Sequence, residues 1–257
     1  SWLATLAGRD GGQPDGLMPE LVGDSQTMRD LRAAIVRIAQ APFPVLIEGE
    51  SGVGKELVAR AIHRLGPRAQ RPFRDLNCAA LPDELADTEL FGHTRGAFTG
   101  AAADRRGLLE EADGGTVFFD ELADLSARAQ AKLLRALQQR EVRRIGESRT
   151  RQIDVRVVSA VNQDLRCAAR EGRFREDLLY RLDVIRLVIP PLRDRVADIP
   201  RLTSVFWREA AAAVGSGASI GEDVVIALCT RSWPGNVRQL QSVLRALAAQ
   251  APADGLS

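Results

Sequence analysis

The sequence predicts an α/β fold: a parallel sheet with helices on both faces, followed by a small all-helical domain. Three observations carry this. Up to Pro190, short apolar runs of β-leaning residues alternate with segments whose apolar residues recur at helical spacing. A glycine-rich stretch, Gly49-Glu50-Ser51-Gly52-Val53-Gly54-Lys55, falls between one such run and one such helix. After Pro190-Pro191 the strand signals stop while helical periodicity continues.

Residues 1–20 hold Gly8, Gly11, Gly12, Pro14, Gly16 and Pro19 and read as a linker. The start at Ser-Trp-Leu points to a piece excised from a longer protein. An amphipathic helix follows through Met28, Leu31, Ile35 and Ile38, closed by Pro42 and Pro44. Val45-Leu46-Ile47 is the first strand. Beyond the glycines, Leu57, Val58, Ala61, Ile62 and Leu65 form one helix face. Further strands are expected at Phe73–Asn77, Thr116–Asp120, 155–161 and 184–189. Several are continuous apolar runs, the mark of strands buried on both faces. Leu125, Ala129, Leu133 and Leu137 predict a helix over 126–142.

In the last part, 198–214 reads as a helix with Pro200 in its first turn and Gly215 past its end. A second helix is expected over 222–230, and a third from an N-capping Asn236 through Val237, Leu240, Leu244 and Leu247. The expected organisation is a linker (1–20), an α/β domain (21–189), a helical domain (190–251) and a disordered tail (252–257).

Apolar residues at 45% suffice for a core, and 27% charged residues with net charge +1 give an ordinary surface. That balance predicts no strong nonspecific nucleic-acid affinity. Cys78, Cys167 and Cys229 are far apart and lack ligand spacing, so reduced thiols are expected; His63 and His93 make no metal set. No 18-residue apolar run and no secretory signal is present, which points to the cytosol.

The glycine stretch fits the phosphate-loop pattern G-x-x-x-x-G-K in the required context of strand, loop and helix. Its glycines let several N–H groups point inward, the following helix N-terminus adds positive field, and Lys55 adds a point charge for phosphates. The hydroxyl residue that usually follows the lysine, as a Mg²⁺ ligand, is replaced by Glu56. A second element, Gly114-Gly115-Thr116-Val117-Phe118-Phe119-Asp120-Glu121, is an apolar strand ending in two acids, expected beside the phosphate-loop strand. Asp120 suits Mg²⁺, and Glu121 suits orienting or deprotonating a water. The pair therefore predicts hydrolysis as well as binding.

The strings GESGVGKE, ELFGHTRGAFTGA, GGTVFFDE, FREDLLYRL, PPLRDR and WPGNVRQL occur in this order. With them the chain, from about Leu21 to Ala249, closely resembles the sigma-54-dependent transcriptional activators, or bacterial enhancer-binding proteins, within the AAA+ ATPases. The resemblance implies an AAA+ P-loop NTPase fold with a helical lid, ATP and Mg²⁺, a hexameric ring, and a bacterial cytoplasmic setting. It implies that Gly96, Ala97, Phe98, Thr99, Gly100 and Ala101 form a loop that touches sigma-54 and moves with nucleotide state. On residues alone, Phe98 either tucks back into the domain or protrudes.

The resemblance makes Gly49 through Glu56 the phosphate site and the acid at Glu56 family-like. Val22 and Gly23 match the adenine-contacting segment. Pro190-Pro191-Leu192-Arg193 match the hinge to the lid, with Arg193 near nucleotide, and Arg238 matches sensor II. Asn77 matches the residue that holds the second acid, Glu121, in an inactive pose. Asn162 matches sensor I, although Val161 stands where the family has Thr. Gln239 stands where it has Glu, which bears on a local ion pair. Arg175 and Arg181 match the arginine fingers; six residues apart is roughly 600° of helix, so they would not share a face. Two other readings stay open: an ATP-binding regulatory module without turnover, and another ring-forming AAA+ remodeller. The enhancer-binding helix-turn-helix of the family has no room after the Asn236 helix and is expected to lie outside this chain or to be absent.

Overall fold

The computed structural model describes residues 16–215 and 219–250. Helix α1 (Gln26–Ala39) precedes strand β1 (Val45–Glu48), helix α2 (Lys55–Arg64) and strand β2 (Phe73–Asn77). Helix α3 (Asp83–Phe91), the short strands β3 (Gly92–His93) and β4 (Arg105–Arg106) and helix α4 (Leu108–Glu111) follow. Then come β5 (Thr116–Asp120), a 3₁₀ turn Leu122–Asp124, α5 (Ala127–Gln139), and the short pair β6 (Glu141–Val142) and β7 (Arg151–Gln152). Strand β8 (Arg156–Val161), helices α6 (Leu165–Arg170) and α7 (Glu176–Leu182), and strand β9 (Ile185–Val188) complete the α/β part. A 3₁₀ segment, Leu192–Asp198, leads into α8 (Ile199–Ala213), α9 (Glu222–Cys229) and α10 (Asn236–Gln250).

Five strands form one parallel sheet in the order β2-β5-β8-β1-β9. The apolar runs supply both faces by simple alternation. Leu46, Val117, Phe119 and Val157 pack under α3, α5 and α7. Val45, Ile47, Phe118 and Val158 face the other way, under α1 and α2. A third cluster, built on Leu192, Leu202, Trp207, Trp233, Leu240 and Leu244, is the core of the helical part. Trp233 Nε1 donates to Leu228 O at 2.8 Å, so the buried indole leaves no orphan donor.

Three expectations change, and two short strand pairs are new. β8 lies between β1 and β5, so the acid-ending strand is one strand removed from the phosphate-loop strand rather than beside it. Met18, assigned to the linker, is 1% exposed and belongs to the core beneath α1. The helix expected to 142 stops at Gln139, where Arg140 turns left-handed (φ 55°) and the chain enters β6. The strand pairs β3–β4 and β6–β7 were invisible because two residues carry no periodicity. The tail 252–257 lies outside the described residues.

Candidate functional site

A cavity of about 380 Å³ opens where the carboxyl ends of the strands meet the helical part, the usual ligand position in an open α/β sheet. The phosphate loop from Ser51 to Glu56 forms its floor, Asp120 and Glu121 one wall, and Val22, Leu202, Phe206 and Val237 an apolar wall. Lys55 opens α2 and is 7% exposed. Its Nζ donates to Gly49 O (3.0 Å) and Glu50 O (3.4 Å) and lies 3.3 Å from Glu121 Oε1. No side chain caps the N-terminus of α2, which begins at Lys55 on this floor, and uncapped helix amides suit an anion. Glu121 is left-handed (φ 51°, ψ 47°), a conformation that costs a non-glycine residue on the order of 1–2 kcal/mol. Its N–H donates to Asp120 Oδ1 at 3.1 Å.

Among the described residues no cluster of three His, Cys, Asp or Glu side chains forms a metal cage. Two strand-end carboxylates beside a phosphate floor fit Mg²⁺ nonetheless, since that ion takes one or two carboxylates, waters and phosphate oxygens. Glu56 adds nothing to this set. Its carboxylate pairs with Arg60 one turn along α2 at 2.8 Å, with both side chains about half exposed.

Glu50 and Arg193, both expected at the ligand, are bound to each other. Arg193 Nη1 and Nη2 donate to the Glu50 carboxylate at 2.9 and 2.6 Å. The fully buried Asn236 adds Nδ2 to Glu50 Oε2 at 3.1 Å. Hydrogen bonds from Arg193 and then Asn236 hold the Glu50 carboxyl at about 2, against an ordinary 4.5. Asn236 was expected to cap its own helix. Its side chain instead reaches out to Glu50, Ser51 O (3.0 Å) and, as acceptor, Leu192 N–H (2.8 Å). Gln239 replaces the cap, its Oε1 accepting Gly235 N–H at 2.9 Å, so no ion pair is involved there. Arg238 lies at the cavity edge, donating from its N–H to Gly52 O and from Nη1 to Ser51 Oγ, each at 3.3 Å.

The Val22–Gly23 segment is pinned from both sides. Buried Arg32 Nη1 donates to Leu21 O (3.0 Å) and Gly23 O (2.8 Å). Fully buried Asp198 accepts from Ser25 N–H (2.6 Å) and Ser25 Oγ (2.8 Å), fixing the start of α1 against the helical part. Arg195, which the sequence did not single out, is 4% exposed on the cavity wall and donates to Val53 O at 3.3 Å. Its hydrogen-bond partners come from α1 and the phosphate loop, while its ion-pair partner Asp198 lies three residues along at 4.0 Å.

Four predicted catalytic residues do not line this cavity, and neither do Gly23, Gly49, Glu50 and Arg193 of the expected binding set. Asn77 Oδ1 accepts from Ala79 and Ala80 N–H (3.0 and 3.2 Å), a turn-forming contact. Asn162 is exposed just past β8. Val161 is fully buried, and its carbonyl accepts Gly49 N–H at 3.2 Å, so backbone makes the tie to the phosphate loop at that position. Arg175 and Arg181 are not two positions within one helix: Arg175 is the extended residue before α7, chelating Asp177 at 3.0 and 2.8 Å. Arg181 sits in the last turn and donates to Leu137 O at 3.0 Å.

The loop 96–101 falls between β3 and β4 and contributes no residue to the cavity lining. Gly96 (φ 79°) and Gly100 (φ 99°) bracket it, closed by Gly96 N–H to Ala101 O at 2.9 Å and Ala101 N–H to Phe98 O at 3.0 Å. Phe98 neither tucks in nor stands free: it is 44% exposed and its ring meets the His93 ring edge-on at 5.0 Å between centroids.

Residues 21–188 match the Sigma-54 interaction domain family and residues 193–257 the AAA+ ATPase lid domain family. The chain is 49% identical over 224 residues to the Nif-specific regulatory protein of Azotobacter vinelandii, covering 87% of this chain and 43% of that protein. It is 46% identical over 240 residues to the DNA-binding transcriptional regulator NtrC of Escherichia coli K12, covering 93% and 51%. The solved structure of NtrX from Brucella abortus in complex with ATP superposes with a TM-score of 0.83 at 40% identity, covering 90% of this chain and 50% of that one. The chain thus spans about half the length of the curated relatives it matches.

Proposed function

As a member of the sigma-54-dependent activator family of AAA+ ATPases, to which this chain belongs, the protein acts, we propose, as an ATP-driven remodeller of sigma-54 RNA polymerase. The observation that carries the ATPase reading is Lys55 Nζ seated between phosphate-loop carbonyls and Glu121, on the floor of a cavity with an apolar wall.

In this reading the adenine lies against Val22, Leu202, Phe206 and Val237, and the phosphates lie over the α2 N-terminus. Lys55 leaves its two carbonyl partners for phosphate oxygens, a stronger charge-assisted pairing. Asp120 would hold Mg²⁺, which when bound supplies positive charge to the phosphate oxygens. Glu121, released from Lys55, orients the attacking water and accepts its proton. Arg238 stabilises charge from the lid side. Arg175 or Arg181, remote from their own cavity, act on a neighbour's, which makes turnover depend on a closed ring, a hexamer in the family reading. The 96–101 loop carries Phe98 to sigma-54. Enhancer DNA is contacted through another part of the full-length protein, in the bacterial cytoplasm.

The test is ATP hydrolysis measured across protein concentration, with mass followed by light scattering. Turnover per protomer rises steeply as rings form. ATP binding with no hydrolysis at any concentration returns the reading to a nucleotide-gated module.

A further inference from the structure

Among the residues of the helical part that touch the phosphate loop, one is fully buried, neutral and required by no catalytic role. Asn236 is fully buried and left-handed (φ 52°), a conformation Asn tolerates better than most residues. Its carboxamide makes three bonds to two distant segments: Leu192 N–H on the acceptor side, Ser51 O and Glu50 Oε2 on the donor side. Around it, Gly235 O approaches so closely that a Cβ on Gly52 would meet it at 2.4 Å.

We propose that Asn236 is a positioning residue that clamps the phosphate loop to the helical part, so that the loop amides take their ligand-ready geometry only while that part is docked. The inference rests on the ATP reading of this cavity. It assigns Glu50 away from ligand: the side chain is an anchor for Arg193 and Asn236, and its contribution to nucleotide binding is indirect. The same bond set links Leu192, the first residue of the 3₁₀ segment after the hinge prolines, to the loop. Domain closure and phosphate geometry are then one event. The lid senses nucleotide through loop position as well as through Arg238.

The chemistry defines the test. Asn236→Asp keeps shape, left-handed tolerance and the acceptor for Leu192, but replaces the amide donor with a carboxylate facing Glu50 and a carbonyl. It should raise KM for ATP about tenfold, equivalent to one buried donor lost, while kcat changes much less. Glu50→Gln offers a donor in return, so adding it to Asn236→Asp should recover most of the lost affinity, although alone it weakens the Arg193 pair. A merely structural residue would not give this reversal. Nucleotide affinity is read with a fluorescent ATP analogue alongside turnover, on protein whose melting temperature is recorded. Recovery in the double variant supports the clamp. Additive losses, or a fall confined to kcat, overturn it. Failure of the unmodified protein to bind ATP at all would instead sink the underlying reading and leave this one without a site.

Discussion

The phosphate loop and the 96–101 loop are both short turns with two glycines at positive φ, Gly52 and Gly54 in one and Gly96 and Gly100 in the other, yet they are held in opposite ways. The first is gripped by partners far away in sequence: Arg193, Asn236, Arg195 and Arg238 all bond to it. The second is closed almost wholly by its own backbone, and its aromatic residue leans on one neighbour, His93. A Cβ at Gly52 would strike backbone, whereas one at Gly96 or Gly100 would meet nothing within 4 Å. That contrast is what the proposed function asks for, a phosphate loop whose long-range contacts break only together and a 96–101 hairpin that swings as a unit.

The comparison is sharpened most by removing the chemistry at the fixed loop. Glu121→Gln should retain ATP binding while turnover falls about 10²–10³-fold, measured by phosphate release. Lys55→Ala should weaken ATP binding about 100-fold by calorimetry, as expected for a lost charge-assisted contact. Gly52→Ala should weaken it about tenfold, from left-handed strain and the Gly235 contact. The same substitution at Gly100 imposes strain without a clash and should leave nucleotide affinity unchanged. If Gly100→Ala proves as damaging to ATP binding as Gly52→Ala, the contrast between the loops is wrong.

Phe98→Ala should hydrolyse ATP at the normal rate and fail to open sigma-54 promoters in a transcription assay. The smallest effect is one of pH. Glu50, depressed from 4.5 to about 2 in the folded protein, adds stability that is complete above pH 4.5 and lost as pH falls toward 2. The melting-temperature gap between the natural protein and Glu50→Gln should therefore stay constant from pH 5 to 8 and shrink below pH 4.5.

Much of the fold was legible because its determinants are local. The strands of the parallel sheet announce themselves as apolar runs, and Pro200 and Gly215 bracket α8 as expected. The floor and acid wall of the cavity were legible for the same reason: a strand, three glycines, a lysine and an acid pair are consecutive residues. Asn236 was misread as a helix cap, a local rule that its partners Glu50, Ser51 and Leu192 in space overrode.

By itself, then, the sequence determined the element types, the phosphate floor, the acid pair and the family. Only the tertiary structure decided which polar side chains face the cavity and which are consumed in holding it together. The physical reason is range. Helical and strand periodicity act over a few residues, whereas Glu50 meets Arg193 across 143 positions and Asn236 across 186. A hydrogen bond of that span leaves no trace in the spacing of either partner.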